Sequence, residues 1–210
     1  MSKYETTNAQ YCKYLNAAKA SGDIIVDGDY VKGASGPYSG QKYYHLAGPG
    51  YTYNGATNGG AARINYSGGA FTVDSGFDNH PVTYVSWFGS MAFADYYGWH
   101  LPTEWEWQAV ADHYGEFNYG CGVDINNGIA NYYDSIHPDG TTAVGAFGTY
   151  GYGMCDMAGN VWEWTSSGSG MYRVHRGGCW AYTAGGCSVS HRVNGNPYYP
   201  HYCIGFRVCR

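Results

Sequence analysis

The stretch Gly153-Met154-Cys155-Asp156-Met157-Ala158-Gly159-Asn160-Val161-Trp162-Glu163-Trp164 reads as a Gly turn flanked by two core tryptophans, Trp162 and Trp164. Gly159 gives the backbone the freedom that a tight turn needs. Asp156 and Glu163 are then placed to accept from backbone amides around the turn. Outward from this stretch, no helix signal appears after residue 113, and short aromatic strands separated by Gly turns continue to Arg210.

The first half of the chain reads differently. Thr7 can cap a helix with Tyr11, Tyr14, Leu15 and Ala18 at helical spacing, stopped at Ser21-Gly22. Ser86 caps a second, with Met91, Ala94 and Tyr97 on one face and Gly98 as its stop. Thr103-Glu104-Trp105-Glu106 is a capping box that opens a third helix, running to about Ala111. Between the first two, residues 23–80 read as a long loop region. Within it Ile24-Ile25-Val26 forms a strand, and Ile64 to Val73 a hairpin broken at Gly68-Gly69. The whole predicts a single α+β domain over 1–210, loop-rich, with two or three helices and small β-sheets.

Composition narrows the function. Gly (33) and Tyr (24) are far above ordinary usage among 210 residues, while charged residues make up only 13%. Tyr with Ser, Gly and Asn is the make-up of adaptable binding surfaces, though Tyr also fills loop-rich cores. The net charge of −5 comes without any basic run, which argues against a nucleic-acid partner. No apolar stretch is long enough to span a membrane. Met1-Ser2-Lys3-Tyr4-Glu5 lacks the apolar core of a signal peptide. The default location is thus cytoplasmic or virion-associated, or the cell surface if a leader has been removed. The seven Cys form no CxxC and are odd in number, which favours buried free thiols over a disulfide framework. His137, His175, His191 and His201 form no metal-ligand spacing, and no GxSxG is present.

Five ordered motifs resemble the formylglycine-generating-enzyme (sulfatase-modifying factor) domain: Tyr4 to Tyr11, His80-Pro81-Val82 to Trp87, Leu101-Pro102-Thr103-Glu104, Gly153 to Trp164, and Arg176-Gly177-Gly178 with Gly205-Phe206-Arg207-Val208. The resemblance spans nearly the whole chain and implies a C-type-lectin-like fold. It also implies copper-dependent oxidation of a substrate cysteine, carried in the family by two cysteines after Arg-Gly-Gly. Soft thiolates suit Cu(I). Here the second position falls on Cys187 but the first on Tyr182, which cannot replace a thiolate. On that ground the chain is expected not to be an enzyme, with no catalytic residue and no catalytic cofactor.

The segment 176–210 resembles something narrower, the variable proteins of diversity-generating retroelements. The matching anchors are Arg176, Gly177, Gly178, Trp180, Thr183, Ala184, Gly185, Cys187, Val189, Ser190, Arg192, Pro197, Ile204, Gly205, Phe206 and Arg207, with Cys179 where Ser is usual. In that family the positions between anchors come from Asn codons with randomised adenines. Such codons keep a final pyrimidine, so Lys, Glu, Gln, Met and Trp cannot arise. None of the five occurs in 181–203, which holds four Tyr, two His and two Asn. The resemblance therefore implies a ligand-facing set of Ala181, Tyr182, Gly186, His191, Val193, Asn194, Gly195, Asn196, Tyr198, Tyr199, His201, Tyr202 and Cys203. Trp180, Val189, Ile204 and Phe206 are expected in the core. A protein ligand is expected first and a carbohydrate second.

The resemblance also implies a structural calcium site at Asp156 (side chain), Gly159 and Val161 (carbonyls) and Glu163 (side chain), since calcium takes hard oxygen ligands at a turn. The plain turn, with Asp156 and Glu163 bonded to protein donors, stands beside it as the alternative.

Overall fold

A computed structural model describes residues 1–53, 56–59, 61–133 and 140–210, with the backbone alone given at 51–53 and 56–59. His137 lies outside the described residues. Helix α1 (Asn8–Ser21) opens with a reciprocal box: Gln10 N donates to Thr7 Oγ1 (3.3 Å) and Thr7 N donates to Gln10 Oε1 (2.9 Å). Each side chain thereby satisfies a backbone donor that the helix start leaves open. Gly22 ends the helix at φ 82, a left-handed geometry that Gly adopts without strain.

The region 23–80 is more ordered than the sequence suggests. The strand at Ile24 is β1 (Ile24–Asp27), and it pairs antiparallel with β2 (Tyr30–Gly33), which pairs with β3 (Lys42–His45). β4 (Tyr51–Tyr53) and β5 (Ala56–Gly59) form a second ladder, and β6 (Ile64–Ser67) with β7 (Ala70–Val73) forms the expected hairpin. Strands β2 to β5 escaped the sequence reading because three or four residues carry too little alternation to separate them from a Tyr- and Gly-rich loop. α2 (Trp87–Tyr96) begins at Ser86, whose Oγ accepts from Gly89 N. α3 (Glu104–Ala111) begins at the Thr103–Glu106 box.

The second half builds one sheet of four strands, in the order β10 (Val193–Gly195), β9 (Tyr172–Arg176), β8 (Trp162–Ser169), β11 (Ile204–Phe206). Neighbours run antiparallel except β11, which lies parallel to β8 with Ile204 opposite Trp162 and Phe206 opposite Trp164. The segment 176–210 is therefore no appendage, since it supplies both edge strands. The start of the chain closes onto its end: Thr6 N donates to Phe206 O (2.8 Å) and Ser2 N to Val208 O (2.7 Å). The main core gathers Tyr11, Leu15, Tyr44, Phe93, Trp164, Trp180 and Phe206, all buried. Tyrosine thus serves both roles that composition left open. Tyr11, Tyr14, Tyr43 and Tyr44 are interior, and others stand on the surface.

Candidate ligand-binding surface

After β9 the chain leaves the sheet at Gly177-Gly178, both at positive φ. A Cβ on Gly178 would lie 2.5 Å from Cys187 Sγ, so the loop folds back tightly over its own turn. A one-turn 3-10 helix (Ala184–Cys187) follows, then β10, then a second loop to β11. The four expected anchors lie in the interior: Trp180, Val189, Ile204 and Phe206 are all buried.

Polar anchors fix the loop from below. Arg176 is buried and donates to the carbonyls of Val189 (2.7 Å) and His191, and to Gln108 of α3. Arg192 grips Glu104 at two points, Nε to Oε2 at 2.8 Å and Nη2 to Oε1 at 3.1 Å. A bidentate guanidinium–carboxylate pair fixes direction as well as distance. Glu104 and Gln108 were not singled out from sequence. Their partners lie 88 and 68 residues away, beyond any local pattern.

Between these anchors, Tyr182, His191, Asn194, Tyr198 and Tyr199 are exposed, Tyr199 at 65%. Ala181, Val193, Asn196, His201 and Tyr202 are half-buried. Trp162 is the floor beneath two of the exposed rings, with centroids 5.7 Å from both Tyr182 and His191. Tyr198 leans on Phe88 (5.0 Å), and Tyr202 on Trp180 (5.8 Å).

Three residues of the expected ligand-facing set do not face outward. Gly186 is buried under Tyr182. Cys203 is fully buried, because its carbonyl accepts from Trp162 N (2.8 Å) where β11 joins the sheet. Gly195 lies flat on the core, and a Cβ there would sit 2.7 Å from Trp164 and 2.9 Å from His175. It leaves no room for exchange.

The motif around Gly159 builds a buried charge cluster. Glu163 is fully buried and accepts from both arms of Arg207 (2.7 Å each) and from Trp107 Nε1 (2.8 Å). Glu5 joins from the segment that precedes α1, accepting from Asn160 Nδ2 (2.7 Å) and Val161 N (3.3 Å). Asp156 accepts from Gly145 N (2.6 Å), and Gly159 packs on the Asn131 carbonyl so tightly that a Cβ would fall 2.3 Å from it. Both side chains of the expected calcium set thus have protein partners in this structure, Glu163 in Arg207 and Trp107 and Asp156 in Gly145 N. Among the described residues, no group of three or more His, Cys, Asp or Glu is placed to hold a metal ion. Three carboxylates around one guanidinium leave an excess of negative charge. Burial, followed by repulsion from Asp156 and Glu163, pushes the Glu5 carboxyl well above its usual range.

Comparison with known proteins places these features. The model of the sulfatase-modifying factor enzyme 1-like domain matches residues 1–210. A protein named serine/threonine-protein kinase pkn1 from Chlamydia caviae is 32% identical over 170 residues, covering 71% of this chain and 27% of its own. A formylglycine-generating enzyme from Streptomyces coelicolor is 30% identical over 173 residues, covering 66% of this chain and 55% of its own. The chain thus spans about a quarter to a half of the length of these relatives. In fold it is similar to Treponema denticola variable protein 1, at a TM-score of 0.58 and 23% identity, covering 71% of this chain and 77% of that one. No helix among the described residues is long and apolar enough to cross a membrane. The expectation that the chain is not an enzyme is overturned by these findings. The whole-chain family carries an enzyme's name, and several relatives at 30% identity or more are named formylglycine-generating enzymes. The chain belongs to the sulfatase-modifying factor enzyme 1-like domain family.

Proposed function

We propose that this domain presents the face formed by residues 181–202 as a ligand-binding surface of the type carried by variable proteins of diversity-generating retroelements. One observation carries the reading: exposed and buried positions interleave along a single segment. Tyr182, His191, Asn194, Tyr198 and Tyr199 point to solvent, while Trp180, Cys187, Val189, Ile204 and Phe206 hold the segment in the core. Side chains on the outer face can change with little effect on the fold, because the anchors carry the packing. Tyrosines on such a face give large contact area at low entropic cost, beside adaptable Asn and His. An aromatic, weakly charged face suits a protein ligand first and a carbohydrate second. The exchangeable set is Ala181, Tyr182, His191, Val193, Asn194, Asn196, Tyr198, Tyr199, His201 and Tyr202.

The test lies in the gene and its neighbourhood. The proposal expects codons at these positions to end in pyrimidine. It also expects a near-identical template repeat nearby, differing at adenines, with a reverse transcriptase gene. Purine-ending codons at most of these positions, or one invariant segment across sibling isolates, would reject it.

A second reading follows from the resemblance to formylglycine-generating enzymes and from relatives of that name, namely oxidation of a cysteine in a peptide substrate with dioxygen as the oxidant. Incubating the reduced, Cu(I)-treated protein with a Cys-containing peptide in air-saturated buffer tests it, and aldehyde formation would assign that chemistry to this chain.

A further inference from the structure

The sulfurs of Cys179 and Cys203 lie 2.7 Å apart, and both residues are fully buried. They are 24 residues apart in sequence and stand at the two ends of the presented segment. Cys179 follows the Gly177-Gly178 turn, and its carbonyl accepts from Tyr182 N (3.0 Å). Cys203 precedes β11 and is held to β8 through Trp162 N. Next to Cys179, Trp180 N donates to Asn160 O (3.0 Å), so backbone hydrogen bonds tie both ends of the segment to the core. A movement of under an ångström brings the two sulfurs to the bond length of a disulfide, ~2.05 Å.

We propose that Cys179 and Cys203 form a disulfide that closes the 180–202 segment into a covalent loop. The oxidant is a small-molecule disulfide, reacting by thiol–disulfide exchange. One cysteine thiolate attacks it, forming a mixed disulfide and releasing one small thiol. The second thiolate then attacks the cysteine sulfur of that mixed disulfide and releases the other. Two protein thiols are oxidised, one external disulfide is reduced to two thiols, and the two protons go to the leaving thiolates or solvent. Burial raises the Cys179 thiol above its usual range, so the attack proceeds when the segment opens or before it closes in folding. The bond would hold both ends of the loop whatever residues occupy its outer face. The pairing rests on the sulfur geometry and stands or falls apart from any ligand.

The pairing itself is tested on the unaltered sequence. The folded protein is refolded from denaturant in a mixed reduced and oxidised glutathione buffer, its free thiols are alkylated, and it is digested and mapped by mass spectrometry. The expected product is one cross-linked peptide pair joining Cys179 to Cys203, lighter by two hydrogens, with the other five cysteines alkylated. Dithiothreitol should abolish it. Limited thermolysin cleavage within 180–202 should slow by about tenfold or more in the oxidised form, as loop closure restricts opening. Alkylation of both Cys179 and Cys203, or a bond joining either of them to another cysteine such as Cys187, would overturn the proposal. A Cys203→Ala protein that keeps the thermolysin resistance of the oxidised form would overturn the loop-locking role.

Discussion

The guanidinium of Arg207 grips the carboxylate of Glu163 at two points, Nε to Oε2 and Nη2 to Oε1, each at 2.7 Å with both side chains fully buried. Arg207 also donates to the carbonyls of Lys3 (3.1 Å) and Cys155 (2.9 Å). One side chain therefore joins the segment before α1, the turn around Gly159 and the end of β11. Removing one partner of a buried pair leaves an uncompensated charge, which typically costs about 3–5 kcal/mol. Arg207→Met should do worse than Glu163→Gln, because it leaves Glu163 beside Glu5 and Asp156 with no cation. Urea denaturation of the two variants checks the order, and a milder effect from Arg207→Met would contradict this account.

Glu5 makes the cluster sensitive to pH. Its folded carboxyl titrates well above the ordinary value of 4.5, chiefly through burial. The fold therefore favours the protonated form. The stability this contributes is fully present below about pH 4.5 and is lost as pH rises through the raised folded value. Glu5→Gln keeps the shape and removes the ionisation. It should raise the melting temperature at pH 7–8, with a smaller gain at pH 5. Equal shifts at both pH values would remove Glu5 as the cause.

His175 works in the opposite sense. It packs edge-on between Trp162 and Trp164, with centroids at 5.0 and 5.3 Å, and its Nδ1 has no hydrogen-bond partner. Burial, with His201 and His191 adding to it, pulls its pKa from 6.5 to about 3. The neutral ring is the one that fits. Its contribution is present above pH 6.5 and is lost as pH falls toward about 3, on the order of a few kcal/mol across that window. Denaturant unfolding between pH 7 and pH 4 should show the loss, and His175→Phe should flatten it. An unchanged slope in the variant would assign the acid sensitivity elsewhere.

How much of this was legible in the sequence depends on distance along the chain. The Thr103–Glu106 box, the Ser86 cap and the Ile64–Val73 hairpin are local, and their residues signal them without help. The anchors Trp180, Val189, Ile204 and Phe206 followed from resemblance and lie buried. Glu5, Glu104 and Gln108 were invisible because their partners stand 155, 88 and 68 residues away, brought close only by the fold. Glu163 looked like a metal ligand for the same reason, since nothing within the motif shows that Arg207 occupies it. Gly195 looked exchangeable because its neighbours are. Only the register opposite Arg173 lays it against Trp164.

That difference between neighbours gives the sharpest test of the presented face. Tyr199 is 65% exposed, whereas a side chain at Gly195 would meet the Trp164 ring at 2.7 Å and the His175 ring at 2.9 Å. Both contacts are with rigid, buried rings, so the backbone of β10 would have to lift. Overpacking of this kind costs about 1–3 kcal/mol. Exchange at an exposed position away from such contacts stays within about 0.5 kcal/mol. Gly195→Ala should therefore lower stability clearly, while Tyr199→Ala and Asn194→Ser leave it nearly unchanged. Chemical denaturation of the three variants separates them. If Gly195→Ala were neutral, β10 would be free to move, and Gly195 would return to the exchangeable set. If Tyr199→Ala cost as much as Gly195→Ala, the division between anchor and display positions would fail.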